Sequence, residues 1–85
     1  MKLRRPVVEA LAGFGIVPAP GETAEELRER LNDRYLQEVR ALKQRQQAGE
    51  IPLREYAVHV QSLKERYGLL GVPLELWQEA PARDR

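Results

Sequence analysis

Cysteine is missing from this 85-residue chain, and Trp, Phe, Met, Asn and His each occur once. Without cysteine there is neither a disulfide framework nor a thiolate metal site, a composition that fits a reducing compartment, so the cytoplasm is the expected location. Long apolar runs are missing too: nothing approaches the roughly 18 residues that span a bilayer, and no membrane partner is expected. The opening MKLRRPVVEALAGFGIVPAP is interrupted by Glu9 and reads as mature protein rather than as a signal peptide. Charge of one sign is scarce in net terms, with 14 Lys and Arg against 13 Asp and Glu. A chain so balanced lacks the polybasic character that drives phosphate binding, and nucleic acid is not the first partner to expect.

The usual chemical signatures are equally sparse. There is no Gly-rich phosphate loop, no internal repeat and no low-complexity tract. His59 stands alone, so a structural zinc site lacks its ligands, and a nucleophile–base pair would have only Ser62 or Thr23 to act on. Glu25, Glu29 and Asp33 recur every four residues, which aligns three carboxylates on one helical face where a hard cation can bind. Arg28 and Arg30 beside them favour a solvated face instead. The expectation is therefore a non-enzyme with no cofactor, no metal and no evident small-molecule substrate. Were it an enzyme, Glu25, Glu29 and Asp33 would have to carry the chemistry.

What is present is helical punctuation. A chain of this length is one small domain that buries only about 60 to 65% of its unfolded surface, so self-association is a natural way to gain more. Pro6 suits a first helical position and predicts a short helix over 6–13. IVPAPGE then makes a stiff connection, with Phe14, Ile16 and Val17 apolar enough to be packed down. TAEE is a capping box, Thr23 with Glu26, that opens a second helix over 24–48. Leu27, Leu31, Tyr35, Val39 and Leu42 give that helix one apolar face. Glu22, Glu25, Glu26 and Glu29 crowd its start and Arg40, Lys43 and Arg45 its later turns, as the helix dipole favours. Gly49 stops it, and Pro52 opens a third helix over 52–67 with Leu53, Tyr56, Ala57, Val60, Leu63 and Tyr67 on one side.

The predicted fold is all-α: a long antiparallel helical hairpin, a short N-terminal helix, and an apolar segment LLGVPLELW folded back as a lid, with Pro73 starting a last short turn. Residues 1–77 form the domain, and 78–85, with no anchor beyond small Ala, are expected to fray. The third helix is shorter than the second by about 13 Å. Ala24, Leu27 and Leu31 are thereby left uncovered by the hairpin. Either the first helix and the C-terminal segment cover them, or a second copy does, giving a dimeric four-helix bundle.

The segment around the turn resembles the short C-terminal domain family, SHOCT, a small helical hairpin found in many bacterial proteins. Leu42, Gly49, Ile51, Glu55, Tyr56 and Leu63 follow that family's order and spacing, over about a quarter of the chain. Pro52 stands where the family usually has a Thr or Ser cap, and Val60 where it tends to have Lys. The resemblance implies an interaction or assembly role and no catalysis.

Two apolar residues fit no predicted face. Leu36 lies about 140° around its helix from Leu31, and Val58 about 160° from Val60. With Trp77, expected to be only partly covered near the chain end, they form the candidate protein-interaction set: Leu36, Val58 and Trp77. The leading expectation is a non-catalytic interaction or self-assembly module, partnered by a second copy or by another protein. The alternative is a nucleic-acid-associated accessory protein contacting phosphate through Arg40, Lys43, Arg45 and Arg54 around the turn. Against it, Tyr35, Tyr56 and Tyr67 are placed on buried faces, away from bases.

Overall fold

The computed structural model describes residues 2–79 and is predominantly helical. Helix α1 spans Arg5–Gly13, α2 Ala24–Gln47 and α3 Leu53–Arg66, followed by two short 3₁₀ turns at Gly68–Gly71 and Leu74–Leu76. Among the described residues there is no strand, only an isolated antiparallel bridge between Leu3 and Gln78.

The helix ends follow from local chemistry. At the start of α2 the Glu26 amide donates to Thr23 Oγ1 at 3.1 Å and the Thr23 amide to Glu26 Oε1 at 2.9 Å. A cap of this kind stabilises a helix by about 1 kcal/mol. Both α1 and α2 stop in the same way. The Ile16 amide reaches back to the Leu11 carbonyl and the Gly15 amide to that of Ala12, each at 2.9 Å. At the end of α2 the Glu50 amide donates to Arg45 at 2.9 Å and that of Gly49 to Gln46 at 3.1 Å. This double closure needs a left-handed residue, and Gly15 at φ 76° and Gly49 at φ 82° supply it. Pro52 precedes α3 without a side-chain cap, since it has no group to offer the free amides.

The core gathers at one end of the molecule. Leu11, Leu27, Leu31 and Trp77 are fully buried, and Val7, Ile16, Leu63 and Tyr67 complete the cluster. Ala24, Leu27 and Leu31, the part of α2 that overhangs α3, are buried within the single chain. α1, Ile16 and Trp77 provide the cover, so that stretch is not left for a second copy. The chain ends close over this core: the Arg4 amide donates to the Trp77 carbonyl at 2.9 Å and the Glu79 amide to that of Lys2 at 2.8 Å. Gln78 and Glu79 are therefore paired where fraying was expected from Gln78 onward. The remainder of that expected tail, 80–85, lies outside the described residues.

Away from the core, α2 and α3 continue as a two-helix arm. The radius of gyration is 16.1 Å and the principal extents are 59 × 25 × 16 Å, against about 12 Å for the radius of a compact chain of this length. Two helices alone can only half-cover a seam. Tyr35, Val39 and Leu42 on α2, which continue the core by packing against it, and Tyr56 and Val60 on α3 are accordingly half-buried, while Ile51 is buried in the turn. Leu53, expected on the buried side of α3, is 71% exposed, and Ala57 is exposed as well. Leu53 and Ala57 lie on one edge of the expected stripe, about 80–120° around α3 from the buried Leu63, so the face that packs is centred on the Tyr56 and Leu63 side.

Candidate functional site

Trp77 does not belong to an exposed surface. It has no solvent exposure, and its indole Nε1–H donates to the Val72 carbonyl at 3.2 Å. The expectation of a partly covered interface residue is corrected: the 3₁₀ turn at Leu74–Leu76 directs the ring into the core, and the Arg4 amide holds its carbonyl. A buried indole whose single donor is satisfied is structural.

Leu36 and Val58 are exposed, 39% and 64% respectively. Each points away from the α2–α3 seam on its own helix, so they belong to separate faces and do not converge. Around Leu36, α2 presents Glu25, Glu29 and Asn32 on one side along the axis and Arg40, Lys43 and Gln47 on the other, all exposed. At about 100° per residue these six lie within about 40° of Leu36. Considered as separate acidic and basic groups in the sequence, they occupy one stripe, and the signal that reveals it is helical phase.

The four basic residues expected around the turn do not form one patch. Arg40 and Lys43 share the Leu36 stripe, whereas Arg45 lies about 140–160° around the helix from them. It lines an open groove of about 280 Å³ between α2 and α3 together with Glu38, His59, Ser62 and Arg66. Arg54, in the first turn of α3, is exposed. Part of the charge at this end is internally matched, with Arg45 Nε 3.8 Å from Glu50 and Arg66 Nη1 3.5 Å from Glu38. A strand of phosphates following one path would thus meet some of these cations and not the others. His59, Ser62 and Arg66 share a face of α3 through their three- and four-residue spacing, the sequence signal for a groove that the four basic residues around the turn do not suggest.

A wider open recess, about 970 Å³, borders the start of α2 between the loop at 18–22 and the turn containing Leu74 and Glu75. Of the acidic residues that line it, Glu22 is already paired, whereas Glu25 and Glu75 have no ion-pair partner among the described residues. Glu22 accepts from the Ala19 amide at 3.0 Å and from Arg30 at 2.9 Å. The Ala19 amide, with Arg30 behind it, holds the Glu22 carboxyl below its ordinary value. Among the described residues, no three His, Cys, Asp or Glu side chains are grouped as a metal would need. Glu25, Glu29 and Asp33 lie along α2 without converging on a point, because residues four apart on a helix project side by side.

At the junction of core and arm, Tyr67 stacks on Phe14, centroids 4.3 Å apart, and meets Tyr35 edge-on at 5.2 Å. Its hydroxyl donates to Glu38. Burial, with Glu38 as the next cause, pushes the phenol up from 10.0 to about 12. A folded-state pKa above the unfolded one gives stability that is complete below about pH 10 and disappears as pH rises towards about 12. Alkaline titration is expected to show one tyrosine ionising only with loss of helix, and Tyr67→Phe to flatten the stability decline in that window. Ultraviolet difference spectra alongside circular dichroism would check this; a decline unaltered in the Phe variant would exclude Tyr67 as its source.

No helix among the described residues is long and apolar enough to cross a membrane. Compared with known proteins, the chain matches no family model, no curated protein and no solved structure.

Proposed function

We propose that this chain is a non-catalytic protein–protein interaction module whose working part is the two-helix arm. The observation that carries this reading is the separation of core from arm. The core satisfies itself at one end, while the arm projects a half-covered seam and the exposed apolar residues Leu36, Leu53 and Val58. Apolar side chains displayed on regular helices, away from the core, are suited to docking against another helical surface. The resemblance of residues 42–64 to the SHOCT hairpin supports an assembly role as well, with Gly49, Ile51 and Leu63 acting as stop, plug and seam. In this reading the hairpin is the scaffold and Leu36 and Val58 are its contacts, with Trp77 holding the base of the arm in place.

Light scattering coupled to gel filtration, run over a concentration series and paired with affinity capture from the native host, tests the reading. Concentration-dependent assembly, or one reproducibly captured protein lost on Leu36→Glu or Val58→Glu, is expected. A strict monomer that captures nothing would sink it.

A further inference from the structure

We propose that the partner is a second copy of this chain, paired antiparallel along the outer face of α2 about a two-fold axis at Leu36. This rests on the interaction-module reading and adds the occupant and its register. Leu36 is at the centre of α2, which runs Ala24–Gln47. The exposed stripe through it reads Glu25, Glu29, Asn32, Leu36, Arg40, Lys43, Gln47, with steps of four, three and four on either side of Leu36. The spacing is thus unchanged when the helix is reversed about its middle, and the charge changes sign across that middle. A two-fold axis converts such a stripe into its own complement.

Under that axis Leu36 meets Leu36 of the second copy once, on the axis, while Glu29 meets Lys43, Asn32 meets Arg40 and Glu25 meets Gln47, each twice. A parallel pairing would set Glu29 on Glu29 and Lys43 on Lys43, which like-charge repulsion disfavours. Antiparallel order is therefore selected by charge. None of Glu25, Glu29, Arg40 or Lys43 has an ion-pair partner among the described residues, whereas Arg30, Arg45 and Arg66 do. These charges are free to be used between chains. One apolar pair, two exposed ion pairs and four charged-to-amide contacts make a modest interface, so the association is weak, reversible and eroded by salt.

The chain's lack of cysteine permits a direct test. Packed helices lie 8–10 Å apart, which brings the Cα atoms of two facing residues to roughly 3.5–5.5 Å, overlapping the separation a disulfide spans. On mild oxidation Leu36→Cys is expected to form a covalent dimer at least about tenfold faster than Val58→Cys, which stands on a more exposed site without a symmetric counterpart. Adding Glu29→Lys to Leu36→Cys should slow crosslinking about tenfold, because it reverses two pairs at once, and adding Lys43→Glu as well should restore it. Circular dichroism confirms that each variant keeps its helix content. Equal rates for the two cysteine variants, or indifference to the charge reversals, would overturn the two-fold pairing. If the parent chain assembles by light scattering while Leu36→Cys fails to crosslink preferentially, this inference falls and the interaction reading stands. If the parent neither assembles nor captures a partner, the reading itself falls.

Discussion

Trp77→Ala is expected to remove a large share of the chain's stability. Trp77 is fully buried, it is the largest side chain of the core, and its Nε1–H bond to Val72 and its carbonyl bond to the Arg4 amide join the C-terminal segment to the start of α1. Removing a buried aromatic costs about 3–5 kcal/mol. A domain of this length has a total stability of about 4–13 kcal/mol, so the loss is a large share of the whole. The melting temperature should fall by more than about 12 °C, since each kcal/mol is worth about 4–8 °C in small domains. Trp77→Phe keeps an aromatic body and loses the donor, and should cost only about 1–2 kcal/mol. Thermal and urea melts followed by circular dichroism distinguish these outcomes. A shift below about 5 °C for the Ala variant would return Trp77 to the surface and reopen its role as a contact residue.

The second large effect is a contrast along one helix. Leu31→Ala removes a side chain with no exposure from the centre of the core, and should cost about 2–5 kcal/mol, the spread depending on how far the cavity can collapse. Leu36→Ala, five residues on, removes one that is 39% exposed and outside the core cluster, and should alter the stability of the isolated chain by no more than about 0.5 kcal/mol. Measured in dilute protein, where self-association does not contribute, the two melts should separate by more than about 6 °C. Equal losses would mean that Leu36 is packed within the monomer, which would remove it from any interaction surface.

The elements of this fold are legible in the sequence because their causes are local. The Thr23–Glu26 box, the stop at Gly49, the restart after Pro52 and the apolar steps from Leu27 to Leu42 all act over one or two turns, and the structure places helix boundaries within a residue of where they point. The off-stripe positions of Leu36 and Val58 follow from the same periodicity, and both are exposed. Leu53 and Ala57, both exposed, were misplaced because periodicity defines a broad apolar side and not which edge of it the opposing helix packs on. Trp77 was misplaced because a residue near a chain end has no periodic context. The basic cluster was read as one patch because Arg40, Lys43, Arg45 and Arg54 are neighbours in sequence, whereas helical phase sends Arg45 to the groove with His59 and leaves Arg40 and Lys43 beside Leu36.

By itself, then, the sequence determined three helices, their ends, the apolar stripe of α2 and the sign of charge at each end of α2, since these depend on groups a few residues apart. Only the tertiary structure decided which segments cover the overhanging half of α2. Joining Leu3 and Arg4 to Trp77 and Gln78 requires contacts across more than seventy residues, carried by one isolated bridge and a few backbone hydrogen bonds that leave no period to read. That closure puts Trp77 under the core, satisfies Ala24, Leu27 and Leu31 within the chain, and leaves Leu36 exposed on the outer face of α2.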